Sequence, residues 1–281
     1  MLDPRQRARD AIALARPALT GRPVLVTSDF DGTLSVPRID PWAATVLPTA
    51  QRALRAMAAM RGVHVVLLSG RTATDLSARV RVGGADYFGN QGLERGRLRR
   101  GQRAASLEVV PLPAPRSAYA MADLLARGVP VQVPEQWLVV EPKGAAITFH
   151  YRGAPDVSHA AQRVAAAVDE IDPRTELARF PGRRCLELRP VGAPAKGEAF
   201  RTLLNEVRPF VAFMLGDDRT DVAAFRVLRT ARDAGEIKGL AIAVGSDADA
   251  LQDALPHADV LLGSPGEAAR FLTLLARTLR G

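Results

Sequence analysis

Two carboxylates stand two positions apart where an apolar run ends. Val24, Leu25 and Val26 lead into Ser28-Asp29-Phe30-Asp31-Gly32-Thr33-Leu34. In extended chain Asp29 and Asp31 share a face, and in a turn they converge. Close like charges are unfavourable without a cation or a shared proton, so the pair reads as a place for either; a solvated turn uses the same residue types. Gly32 permits the sharp exit that follows. Leu68-Ser69-Gly70-Arg71 ends a second apolar run, and its hydroxyl, backbone N–H and guanidinium are suitable donors to a phosphate, although Ser-Gly is also ordinary loop chemistry. Lys196-Gly197-Glu198 opens a helix, where a cation opposes the helix dipole unless it faces an anion. A phosphate there relieves the conflict, and an exposed lysine before a helix is the plainer alternative. Leu215-Gly216-Asp217-Asp218-Arg219-Thr220-Asp221 ends a third run. Its three closely spaced carboxylates suit a hard divalent cation, while Asp221 and Thr220 are also helix-capping types.

The elements that must hold these residues are legible as a pattern. Val24–Val26, Val63–Leu68, Phe210–Leu215, Leu240–Val244 and Val260–Leu262 are continuous apolar runs, as strands covered on both faces are. Segments with helical spacing, such as Thr49–Met60, Gly197–Val207 and Val222–Arg232, lie between them. The alternation predicts a parallel α/β sheet with helices on both sides. Ligands of such sheets bind at the carboxyl ends of the strands, where three of these motifs fall, the fourth opening a helix. The middle of the chain differs. Pro111, Pro113 and Pro115 break it, and Pro190, Gly192 and Pro194 punctuate it again. Between them stand helices (Ala118–Ala126, Val157–Ile171) and strands (Trp137–Val140, Ala145–Tyr151, Cys185–Leu188). Residues 110–190 are expected to form an inserted α+β domain, with residues 1–109 and 191–281 forming the core.

Composition bounds the function. The 281 residues are 47% hydrophobic and 24% charged, as in a globular chain. Lys plus Arg exceeds Asp plus Glu by 38 − 30, or +8. The excess is scattered arginine without a long basic block, so no nucleic-acid partner is expected. Cys185 is the one cysteine, which precludes an intrachain disulfide and fits a reducing compartment. No apolar stretch approaches the roughly 18 residues that span a bilayer. The N-terminal segment, broken by Arg and Pro, lacks the apolar run of a secretory signal. A cytoplasmic protein without membrane partner is expected.

In their order, the four motifs resemble the haloacid-dehalogenase-like phosphatase superfamily: Asp-x-Asp-x-Thr, then Ser, then Lys, then Gly-Asp-Asp-x-x-x-Asp. Asp29–Leu34, Ser69–Arg71, Gly89–Glu94, Glu141-Pro142-Lys143, His150-Tyr151-Arg152, Leu186–Pro190, Lys196-Gly197 and Gly216–Asp221 look more closely like the landmarks of trehalose-6-phosphate phosphatases. The resemblance implies a Rossmann-like parallel-sheet core with an inserted α+β cap. It implies Asp29 as nucleophile, forming an aspartyl-phosphate, and Asp31 as general acid and then base. It implies Mg²⁺ held by Asp29, the Asp31 carbonyl and Asp217, with Asp218 and Asp221 in or near its outer shell. Ser69, the Gly70 N–H and Lys196 would hold phosphate oxygens. Arg71, Asn90, Glu141, Lys143, Arg152 and Glu187 would bind the sugar phosphate, and a trehalose-phosphate synthase is the implied functional partner.

Three positions depart from the family pattern. Gln91 stands where a histidine is usual, and Val222-Ala223 where two acids are usual; all three bear on rate and sugar specificity. Phosphatases of sucrose phosphate, of glucosyl- or mannosyl-phosphoglycerate or of another hexose phosphate are the alternatives within enzymes. A non-catalytic sugar-phosphate sensor is the alternative outside them.

Overall fold

The structure is a computed structural model and describes residues 4–38, 40–182, 184–245 and 252–280. The chain divides into two compact units, Met1–Pro111 with Pro194–Gly281, and Leu112–Ala193.

The first unit begins with α1 (Pro4–Ala15), β1 (Val24–Ser28), α2 (Pro48–Ala58), β2 (Val63–Leu68), α3 (Ala73–Val80), β3 (Asp86–Gly89), β4 (Glu94–Arg97) and β5 (Val109–Pro111). The second unit holds α4 (Arg116–Gln132), β6 (Val139–Lys143), β7 (Ala146–His150), α5 (Val157–Ile171), β8 (Leu177–Pro181) and β9 (Cys185–Pro190). The first unit resumes with α6 (Lys196–Val207), β10 (Val211–Gly216), α7 (Val222–Asp233), β11 (Lys238–Val244), β12 (Val260–Leu262) and α8 (Pro265–Thr278).

One sheet of eight strands, in the order β12-β11-β10-β1-β2-β3-β4-β5, forms the first unit. It is parallel from β12 to β3, and β4 and β5 extend it antiparallel. The continuous apolar runs follow from burial of both faces. Val24, Val26, Phe213 and Leu215 point into a core made with α1, α2, α3 and α8, while Leu25, Ala212 and Met214 point into one made with α6 and α7. Helix α2 shows the matching stripe: Ala50, Ala53, Leu54 and Met57 are buried at helical spacing behind Pro48. The parallel α/β expectation holds. The antiparallel edge formed by β4 and β5 was not foreseen, because Glu94-Arg95-Gly96-Arg97 has no apolar alternation for a sequence reading to find.

The second unit is an antiparallel sheet in the order β6-β7-β9-β8. Ile147, Phe149, Leu186 and Leu188 pack with Leu125 and Val129 of α4 and Val164 and Val168 of α5. The alternation of the strands sends Glu141, Lys143, Thr148, His150, Glu187 and Arg189 to the opposite face. Among the described residues no helix is long and apolar enough to cross a membrane.

Candidate active site

Strand β1 is where the winding reverses: β2 follows on one side, and β10 arrives from late in the chain on the other. In an open α/β sheet this creates a crevice at the carboxyl ends of the strands. Asp29 is the first residue past β1, and its N–H donates to the Leu215 carbonyl at 2.9 Å, continuing the ladder towards β10. Its side chain is buried. Lys196, the first residue of α6, is buried too, and its Nζ donates to Asp29 Oδ1 at 2.7 Å and to Asp221 Oδ1 at 2.8 Å. The expectation that this lysine faces an anion at a helix entry therefore has a geometric answer in two carboxylates.

Asp221 is fully buried. Its Oδ2 accepts from the backbone N–H groups of Asp217 (3.0 Å) and Asp218 (3.3 Å), so it shapes the turn that carries both acids. Carboxylate oxygens of Asp29, Asp217 and Asp221 lie within 4.8 Å of one another. Burial, partly offset by Lys196, pushes Asp29 up to about 6 and Asp221 up to about 8. Burial and Asp218 push Asp217 well above the ordinary carboxylate range. Burial works against the Lys196 charge, yet Asp221 and Asp29 hold its pKa well above the ordinary value. Three carboxylates that resist ionising together present hard oxygen donors, and this set fits a divalent cation. Gly32 makes the approach sterically available: at its φ of +77°, a Cβ would stand 2.0 Å from Asp217 Oδ2.

Asp31 is held differently. Arg71 Nε donates to its Oδ2 at 2.6 Å and Arg71 Nη2 to its Oδ1 at 2.9 Å, a two-bond fork. Ser69 lies at the end of β2, buried, and Gly70 follows it. Asn90 and Gln91 form the turn after β3 with φ of 48° and 61°. The Gln91 N–H donates to the Ser69 carbonyl at 2.9 Å, and the Asn90 N–H to the Arg71 carbonyl at 2.7 Å. Asn90 Nδ2 also donates to Glu94 at 2.6 Å. Gln91 thus borders the Ser69-Gly70 loop. Ala223 is small where α7 passes α6: a Cβ on Gly197 would stand 2.9 Å from the Ala223 methyl. Asp218 is exposed, its Oδ1 taken by Thr220 Oγ1 at 2.7 Å.

The other residues singled out in sequence lie in the second unit. Glu141 and Glu187 flank Thr148 across three strands in one row. Lys143 Nζ lies 3.4 Å from Glu141 and 3.9 Å from Glu187, and all three are buried. His150 Nε2 is 2.8 Å from Glu141 Oε2. Arg152 is half-buried just past β7. Sequence reasoning includes Arg189 within a landmark without giving it a role; its guanidinium lies 3.6 Å from the centre of the Phe180 ring, and the buried Thr148 was missed. The alternation Glu-x-Arg over 187–189 was the available signal for Arg189. It also missed Asp75, which accepts from Arg71 Nη1 at 2.8 Å; the four-residue spacing of opposite charges was the signal there.

A parallel sheet wound both ways from β1, with acids at the ends of β1 and β10 and a buried lysine opening α6, is the haloacid-dehalogenase-like phosphatase class. The sequence model of the trehalose-phosphatase family matches residues 27–253. The chain belongs to that family. It is 33% identical over 289 aligned positions to the trehalose-phosphate phosphatase of Mycobacterium tuberculosis, covering 97% of this chain and 66% of that one. It is 32% identical to that of Mycobacterium avium over 97% of this chain and 67% of the relative. The chain thus spans about two thirds of the length of these relatives. Among solved structures, the C-terminal domain of Candida albicans trehalose-6-phosphate phosphatase shares the fold, with a TM-score of 0.74, 23% identity, and coverage of 94% of this chain and 97% of that one.

Proposed function

We propose that this chain is a Mg²⁺-dependent trehalose-6-phosphate phosphatase working through an aspartyl-phosphate on Asp29. The observation that carries the reading is the buried Asp29 carboxylate, paired with Lys196 and clustered with Asp217 and Asp221. Family membership and the names of the mycobacterial relatives support the substrate.

In the first step an Asp29 oxygen forms a bond to phosphorus while the ester P–O bond breaks, and Asp31 protonates the departing sugar oxygen. In the second, Asp31 takes a proton from water as that water bonds to phosphorus, and the Asp29–phosphorus bond breaks to release inorganic phosphate. Ser69 Oγ, the Gly70 N–H and Lys196 Nζ hold the non-bridging oxygens. Mg²⁺ held by Asp29, the Asp31 carbonyl and Asp217, with Asp218 and Asp221 in support, would supply the charge neutralisation that lets two anions meet. The unit Leu112–Ala193 acts as the specificity cap. Glu141, Lys143 and Glu187 bind sugar hydroxyls, Arg152 contacts the phosphate or sugar, and Arg71 and Asn90 are further substrate-binding residues. Charged groups recognise a polyol selectively because a poorer substrate leaves them desolvated and unpaired. A trehalose-phosphate synthase is the proposed functional partner, and the cytoplasm the proposed location.

Phosphate release from a panel of sugar phosphates, with and without Mg²⁺, tests the reading. Trehalose 6-phosphate is expected to exceed sucrose phosphate, glucosyl- and mannosyl-phosphoglycerate and hexose phosphates in kcat/KM. Equal slow turnover of all of them would overturn the substrate.

A further inference from the structure

Asp31 has the more exposed carboxyl of the β1 pair, its side chain 47% accessible, and a proton donor on a free side chain loses the alignment its task requires. What fixes it is a run of alternating charges. Arg71 holds both Asp31 oxygens, with its side chain only 7% exposed. Its third nitrogen, Nη1, donates to Asp75 Oδ2 at 2.8 Å. The same Asp75 oxygen accepts from Arg79 Nε at 2.7 Å. Arg79 Nη1 then donates to the carbonyls of Trp42 (2.8 Å) and Ala44 (2.7 Å), on the segment joining β1 to α2. The backbone sets the spacing. Asp75 and Arg79 sit one turn apart on α3, whose first turn is capped by Thr72 Oγ1 accepting the Asp75 N–H at 3.2 Å.

From this we infer that Asp75 is a positioning residue for the hydrolysis, acting through Arg71 to aim Asp31. The inference rests on the phosphatase reading above and deepens it. Proton donation to the leaving oxygen uses one Asp31 oxygen, so one bond of the fork must open. The Nη1–Asp75 bond then keeps the planar guanidinium from turning, and the remaining bond still directs the carboxyl. Asp75 touches neither substrate nor reacting atoms in this role.

A double-mutant cycle on kcat/KM for the best sugar phosphate tests it, with melting measured on every variant. Asp75→Asn is expected to lower kcat/KM by about tenfold or more with Asp31 present, a fraction of what a general acid contributes. In the Asp31→Asn background the same change is expected to cost less than about twofold, because a residue acting through Asp31 has nothing left to position. Should Asp75→Asn not fold, Asp75→Ala enters the same cycle, removing the acceptor of Arg71 Nη1 with a residue that suits a helix. Equal losses in both backgrounds overturn the inference and leave the phosphatase reading standing. A wild-type protein that releases phosphate from no sugar ester overturns both.

Discussion

Lys196 and Asp29 stand 167 positions apart in sequence and meet at 2.7 Å. The ammonium belongs equally to Asp221, whose side chain has no exposure at all. Replacing Lys196 by Met therefore removes the cation from between two buried acids. Breaking a buried ion pair from one side costs about 3–5 kcal/mol. Urea unfolding of Lys196→Met at neutral pH is expected to show a loss of that order, and phosphate release is expected to fall to background.

Asp29→Asn keeps the shape of the side chain and removes the proposed nucleophile. Turnover is expected to drop by about a thousandfold or more, since the covalent step has no substitute. The melting temperature is expected to stay close to the wild type, because Lys196 retains Asp221. A residual rate within tenfold of wild type would contradict the role given to Asp29.

Metal addition and removal give an independent readout. A ligand that binds only the folded state stabilises it, by about 2.7 kcal/mol at a hundred times its Kd. Millimolar Mg²⁺ is expected to raise the melting temperature of the wild type, and chelation to reverse the rise and abolish turnover. In Asp217→Asn, which loses one oxygen of the carboxylate cluster, most of that rise is expected to vanish.

Far from this cluster, Glu267 on α8 takes a fork from Arg7 on α1, at 2.8 and 2.7 Å, and the Gly263 N–H at 3.0 Å. Burial pushes its carboxyl up, but the Arg7 and Gly263 hydrogen bonds outweigh burial and hold the pKa below the ordinary 4.5. A carboxyl whose pKa is lower folded than unfolded contributes stability above the unfolded value. That contribution is lost as pH falls through the folded value. At pH 7 Glu267→Gln is expected to be less stable by about 1–2 kcal/mol. Below about pH 4 the two proteins are expected to converge. Urea unfolding across pH 3–7 measures the gap, and a gap that widens on acidification would rule the account out.

How much of this was legible in the sequence depended on how local the determinant was. Val63–Leu68 and Val260–Leu262 read as strands with the bounds the structure gives, because their short apolar runs stand out from the polar segments around them. Val157–Ile171 reads as a helix because its apolar residues recur at helical spacing, with Ala160, Val164, Ala167 and Val168 buried. Asp29, Asp217 and Asp221 stand out in sequence just past the end of a strand and Lys196 at the opening of a helix, and the fold brings them together. The pairing of Arg71 with Asp31 was not legible. Its guanidinium reads as a phosphate donor until the fold turns it onto Asp31 and Asp75. Short polar pieces such as β4, and β8 with its Phe180-Pro181 end, are held by neighbours in the sheet rather than by their own pattern.

Strand β1 lies between a neighbour made early, β2, and one made late, β10. As the chain leaves the ribosome, residues up to Pro111 can assemble only one flank of the eight-stranded sheet. The β10 side of β1 keeps a row of unsatisfied N–H and C=O groups until the whole insertion and α6 have been synthesised. A nascent chain stalled in that interval presents a central strand as a raw edge, open to pairing with any extended segment nearby. Asp29 thus lies just past a strand that stays half-paired until the chain has been made as far as β10.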